Sequence, residues 1–211
     1  MSVIVPIPSP RPPMKTKPQK RPPPQTPGRL PAKEIACRRA LAKLGVSYSE
    51  QTPISEARGC SIAHPLVIER LSRKIALKPK ATLNCATALT LARFFTDKVP
   101  SLARRHLKQP VATVRHVSAY VCRTRAGLEK LSEHAFGNAL DIAAFDLADG
   151  TRLNVARQSN PRSGTARFLD AFRTAACGPF KTVLGPGTNA DHATHFHLDL
   201  QKRRNDYLYC K

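Results

Sequence analysis

From Glu34 onward the chain switches between two hydrophobic periods. The stretch "EIACRRALAKLG" (34–45) carries apolar residues at helical spacing, and Gly45 predicts where that helix stops. A longer, largely buried helix is predicted over "ATLNCATALTLARFFTDKV" (81–99), ending before Pro100. Between them, "SIAHPLVIERL" (61–71) fits either period. "VATVRHVSAYVCR" (111–123) is rich in β-branched residues and predicts a strand. "NALDIAAFDLADGTRLNV" (138–155) predicts two strands joined at "ADGT". Helical period returns in "ARFLDAFRTAAC" (166–177), and "FKTVLG" (180–185) and "HFHLDL" (195–200) predict two further strands. Helices first and antiparallel strands later make an α+β domain, with an antiparallel sheet and helices packed on one side of it.

Two of these strands interrupt their apolar pattern with groups that a core does not accept unpaired. In "SEHAFGNALDIAAF" (132–145) a histidine and an aspartate flank Gly137, and the strand period puts Asp141 on a face with Ala139 and Ala143. In "NADHATHFHLDL" (189–200) the same period puts His195, His197 and Asp199 on one face and Phe196, Leu198 and Leu200 on the other. A His and an Asp from one turn-and-strand unit, with a His from a neighbouring strand, make a three-ligand zinc site with a fourth position open. An HxH pair alone is a common accident. Joined to the first segment it becomes a metal-site expectation.

Residues 1–33 change the picture of the domain's surroundings. They hold 11 of the 19 prolines, seven basic residues and no acidic ones, which predicts an extended, partly polyproline II spacer ahead of a domain over 34–211. A Pro-rich ligand for an SH3-like domain is the other use of such a segment. The formal charge of +21 suits polyanionic surroundings such as nucleic acid, anionic lipid or an acidic wall polymer, and does not choose among them. The chain has no tryptophan and no aromatics interleaved with basic residues for base stacking, so no nucleic-acid partner is expected.

The six cysteines, Cys37, Cys60, Cys85, Cys122, Cys177 and Cys210, include no CxxC pair. Widely scattered and even in number, they read as three disulfides in an oxidising compartment, the alternative being six buried thiols in the cytosol. The pair Cys177–Cys210 is expected, because it ties the last helix to the C-terminus. No stretch is apolar enough for a membrane helix, and "MSVIVPIPSPRPP" lacks a signal-peptide core. An export signal, or a membrane anchor for which residues 1–33 are the spacer, is therefore expected upstream of this chain.

"SEHAFGNALDI" matches the SxHxxGxAxD pattern of the zinc peptidases grouped as lysostaphin, D-Ala-D-Ala-peptidase and hedgehog-like, and "HFH" matches their HxH element. Residues 34–211 as a whole resemble the extensin-like C-terminal domain family of bacteria, through the spaced cysteines, "SAYVCR", "ACGPFKTVLGP" and "NADHATHFHLDL". The resemblance implies an exported, periplasmic zinc peptidase acting on peptidoglycan stem peptides or cross-links. His134, Asp141 and His197 would be the Zn2+ ligands, and His195 the catalytic base. The carboxypeptidase branch has a glutamate three residues before a ligand histidine. Here His192 stands three residues before His195, which favours the murein endopeptidase branch.

"SAYVCRT" partly resembles the "SGYRS" element of the wider superfamily, with altered spacing between Tyr120 and Arg123. Arg123 either stabilises the developing oxyanion or grips a substrate carboxylate, the alternative being a surface arginine beside a disulfide. Ser132, Tyr120 and His192 are assigned to the substrate cleft, with His192 and Asp191 also open to two readings, as groups that orient a ligand imidazole or as plain loop polarity. Two rivals remain: a non-catalytic wall- or partner-binding domain that keeps zinc structurally, and a basic nucleic-acid-binding protein.

Overall fold

A computed structural model describes residues 30–211, so the spacer predicted over 1–33 lies, except for its last four residues, outside the described residues. Ala32 and Lys33, assigned above to that spacer, form the first turn of helix α1 (Ala32–Lys43) behind Pro31, and Gly45 follows in the left-handed region at φ 70°. Short strands come next: β1 (Ser47–Glu50), β2 (Ile54–Ser55), β3 (Ser61–Ile62) and β4 (Leu66–Arg70), which resolve the ambiguous 61–71 stretch as strand. Strand β5 (Ala76–Leu83) takes three residues assigned above to the second helix. That helix, α2 (Cys85–Asp97), starts behind Asn84, whose side-chain oxygen accepts from the Thr87 N–H at 2.9 Å. It stops before Pro100 as expected, and a further helix, α3 (Val99–His106), begins there with the proline in its first turn.

The second half follows the predicted order through β6 (Val111–Ser118), which stops five residues short of the strand expected over 111–123, the hairpin β7 (Ala139–Leu147) and β8 (Arg152–Asn154), helix α4 (Gly164–Ala176), β9 (Thr182–Leu184) and β10 (Phe196–Asp199), and adds β11 (Tyr209–Cys210), which the pattern did not predict. The main sheet has nine strands in the order β1-β4-β5-β6-β7-β10-β9-β11, with β8 paired to β7. It is antiparallel except at β5–β6 and β9–β11, and β2 pairs with β3 separately. The α+β class stands.

One face of the sheet is the core. Phe172 of α4 lies with its ring centroid 5.1–5.8 Å from Phe94, Phe95, Phe145 and Phe196, so α2 and α4 are clamped onto β7 and β10. Truncating so enclosed a ring to alanine costs about 3–5 kcal/mol. A bulge in β7 allows one strand to serve both faces. Arg115 faces Ala144 and His116 faces Ile142, which leaves Ala143 as an extra residue and reverses the alternation. Leu140, Ile142 and Phe145 all reach the core, although strict alternation would put Phe145 beside Asp141. Three disulfides staple the domain: Cys37–Cys85 joins α1 to α2, Cys60–Cys122 joins the β2–β3 hairpin to the loop after β6, and Cys177–Cys210 joins the end of α4 to β11.

Candidate metal centre

The pairing of β7 with β10 sets Asp141 directly opposite His197 on the face away from the helices. His134 arrives from a 3-10 turn, Glu133–Phe136, just before β7. Ser132 starts that turn and Gly137 ends it, at φ 59°. A side chain at 137 has no room, because a Cβ there would stand 2.5 Å from Ile62 Cδ1 and 2.8 Å from the Asn84 backbone nitrogen. Glycine is thus required both for the left-handed conformation and for the close approach of this turn to the start of α2.

The three side chains converge. His134 Nε2 lies 3.1 Å from Asp141 Oδ2 and 3.3 Å from His197 Nδ1, and His197 Nδ1 lies 2.8 Å from Asp141 Oδ1. Four ligands at zinc's usual 2.0–2.1 Å stand about 3.3 Å apart in a tetrahedron, so the spacing fits the ion. The outer hydrogen bonds fit too. His134 Nδ1 donates to the Ala119 carbonyl at 2.5 Å, and His197 Nε2 donates to Asp199 Oδ2 at 3.0 Å. Each ring is thereby oriented with its other nitrogen toward the centre, which is the arrangement metal-binding imidazoles use.

Such a cluster, left to itself, must take up a proton. Burial would lower the pKa of His197, but hydrogen bonds to Asp141 and Asp199 outweigh it and push the pKa up to about 9. For Asp141 burial works upward, and His134 and His197 overcome it, holding the carboxyl far below the ordinary range. The centre is thus a pocket that demands positive charge, from a metal or from a proton. His134, Asp141 and His197 could hold a metal ion.

Around the centre runs an open cleft of about 490 Å3. His195, just ahead of β10, has its Nε2 3.8 Å from Asp141 Oδ1, and burial lowers its pKa below the usual histidine value, Asp141 opposing. His192 is turned by Asn189, whose side-chain oxygen lies 2.6 Å from its Nδ1, and its ring stands 5.3 Å from that of His195. Arg123 is half-exposed, its guanidinium 3.9 Å from Asp141 Oδ2. Ser132 lines the cleft, although its hydroxyl also accepts from the His134 N–H at 3.4 Å. Tyr120 is not among the cleft-lining residues. Its hydroxyl donates to Glu56 beside the β2–β3 hairpin, so it braces the loop that carries Arg123.

Asp199 had no role in the sequence reading. The period-2 pattern places it on the ligand face, and that was the one signal available, since a carboxylate two residues past a ligand carries no motif of its own. Asn189 and Arg203 were missed for the same reason. They meet the site only through the fold.

Over residues 35–211 the chain matches the family described as Extensin-like protein C-terminus. No curated protein and no solved structure matches it. The protein therefore belongs to the extensin-like C-terminus family.

Proposed function

We propose that the protein is an exported zinc-dependent peptidase that hydrolyses peptide bonds in peptidoglycan stem peptides or cross-links. One observation carries this reading: two imidazole nitrogens, each ring held by an outer hydrogen bond, and a carboxylate converge at 2.8–3.3 Å on the floor of an open cleft beside a further histidine. His134, Asp141 and His197 would hold the zinc. The chemistry zinc supplies in a set of two imidazoles and one carboxylate is Lewis acidity, which polarises a carbonyl and brings the pKa of water toward 7.

The rest is the work of side chains. His195 is neutral near pH 7 because burial lowers its pKa, so its imidazole can take the proton of the attacking water and pass it to the leaving amine. Arg123 would donate to the oxyanion that forms on the scissile carbonyl. Asp199 fixes the orientation of His197. His192 stands where the carboxypeptidase branch has glutamate, which supports an endopeptidase.

The three disulfides point to an oxidising compartment, and we place the enzyme in the periplasm or an equivalent exported space. The charge of +21 suits an anionic wall. The test is zinc content and muropeptide release on the same preparations of parent, His195→Ala and His197→Ala. His195→Ala should keep its zinc and cleave roughly 10²- to 10⁴-fold more slowly. His197→Ala should lose both. Zinc retained and cleavage unchanged in both variants would refute the assignment in favour of a binding domain.

A further inference from the structure

Three arginines line the cleft, and two of them have a carboxylate. Arg125 meets Glu133 at 3.3 Å and Arg123 faces Asp141 at 3.9 Å. Arg203 has none within 4.0 Å among the described residues. It is nevertheless held firmly. Its Nη1 donates to the Lys181 carbonyl at 2.9 Å, and its Nη2 donates to Thr182 Oγ1 and to Gln201 Oε1, both at 2.6 Å. The guanidinium also lies 5.8 Å from the centre of the Tyr209 ring. All these partners are neutral, so the cation is fixed in place without being neutralised. Of its five N–H groups, the Nε–H and one on Nη1 remain free.

Strand register gives its distance from the metal centre. His197 faces Leu184 across β9, whereas Asp199 faces Thr182, and Thr182 in turn faces Tyr209 of β11. Arg203, on Thr182 and Tyr209, stands one row along from His197, two residues of strand or roughly 6.8 Å, and one to two strands across at about 4.8 Å each, so roughly 8–12 Å away. An extended peptide advances about 3.3–3.6 Å per residue, so that position lies about two to three residues along a substrate cut at the metal.

We propose that Arg203 is a specificity residue that receives the C-terminal α-carboxylate of a stem peptide, two to three residues beyond the bond that is cut. This rests on the peptidase reading and names the substrate feature it selects. A substrate carboxylate supplies the countercharge that Arg203 lacks, through a charge-assisted hydrogen bond to a free N–H. The three existing bonds serve to aim the group.

The experiment uses zinc-loaded protein and two stem tetrapeptides that differ in one atom group, a C-terminal carboxylate in one and a carboxamide in the other. Calorimetric affinity and cleavage are both measured. The parent should bind the acid about tenfold or more tightly than the amide. Arg203→Gln should bring the acid down to the amide's affinity, leave the amide within about twofold, and keep the parent's zinc content and unfolding midpoint; Arg203→Lys should recover part of the preference. Equal affinities in the parent, an equal loss for both peptides in Arg203→Gln, or no binding of either peptide overturns the proposal. Should Arg203→Gln not fold, the parent and Arg203→Lys decide on the same comparison. A preference for the acid without cleavage of either peptide upholds the subsite and refutes the peptidase reading, and cleavage without preference does the reverse.

Discussion

On the proposed reading, a proton and a metal would compete for the same nitrogen of His197. In the metal-free protein Asp141 and Asp199 outweigh burial and hold this imidazole's pKa up to about 9, well above the unfolded value of 6.5. The sign follows from linkage: this pair's contribution to apoprotein stability is complete below about pH 6.5 and is lost as pH rises through about 9. Zinc must displace that proton. Its apparent affinity should therefore rise about tenfold per pH unit between pH 7 and 9 and level off above, with about one proton released per zinc at pH 7. Chelator competition across that range, with calorimetry in buffers of different ionisation enthalpy, measures both. An affinity flat from pH 7 to 9 would show that Asp199 does not hold the ring as described.

At the scale of elements, the site is a turn and two strands fixed from outside. The 3-10 turn bearing His134 ends at Gly137, where backbone conformation and the neighbouring Asn84 both exclude a side chain. Gly137→Ala should lower stability by about 2–5 kcal/mol and release zinc, because the turn must lift away from α2 and carry His134 with it. Denaturant midpoint and metal content report the two effects. The loop after β6 has its own fastening: the Cys60–Cys122 bridge, the Arg58 guanidinium on the Cys122 carbonyl at 2.8 Å, and the Tyr120 hydroxyl on Glu56. Arg123 follows directly. Replacing both Cys60 and Cys122 by alanine should cost about 2–4 kcal/mol and slow turnover while zinc stays bound, since none of the three ligands lies on the freed loop. Zinc loss in that variant would mean that the loop supports His134, through the Ala119 carbonyl, more than it supports Arg123.

For the whole molecule, six cysteines form three bridges and no thiol is left free among the described residues. Protein taken from its native compartment should show no reactive thiol in denaturant. Six would overturn the assignment to an oxidising space. Much of this was legible in the chain itself. Apolar period, β-branched content and a hairpin signal placed α2, α4, β6, β7, β9 and β10, and the pairs of polar residues that break the period in β7 and β10 marked Asp141 and His197, because buried charge is tolerated only where it is paired or bound. The bridge between Cys177 and Cys210 was legible as well. What local pattern could not carry was everything that depends on long-range pairing. Strand β5 went unread because Lys78, Pro79 and Lys80 break its pattern, and it stands as a strand only because β4 and β6 flank it. The bulge at Ala143, which turns Phe145 to the core while Asp141 faces the metal centre, is a property of the β6–β7 register. The support of His197 by Asp199, and the unneutralised Arg203 one row away, exist only once β9, β10 and β11 lie side by side. Sequence determined which three residues could hold a metal, since burying them unpaired is costly. Tertiary structure decided their partners, since a hydrogen bond reaches about 3 Å and only the fold brings residues far apart in the chain within that distance.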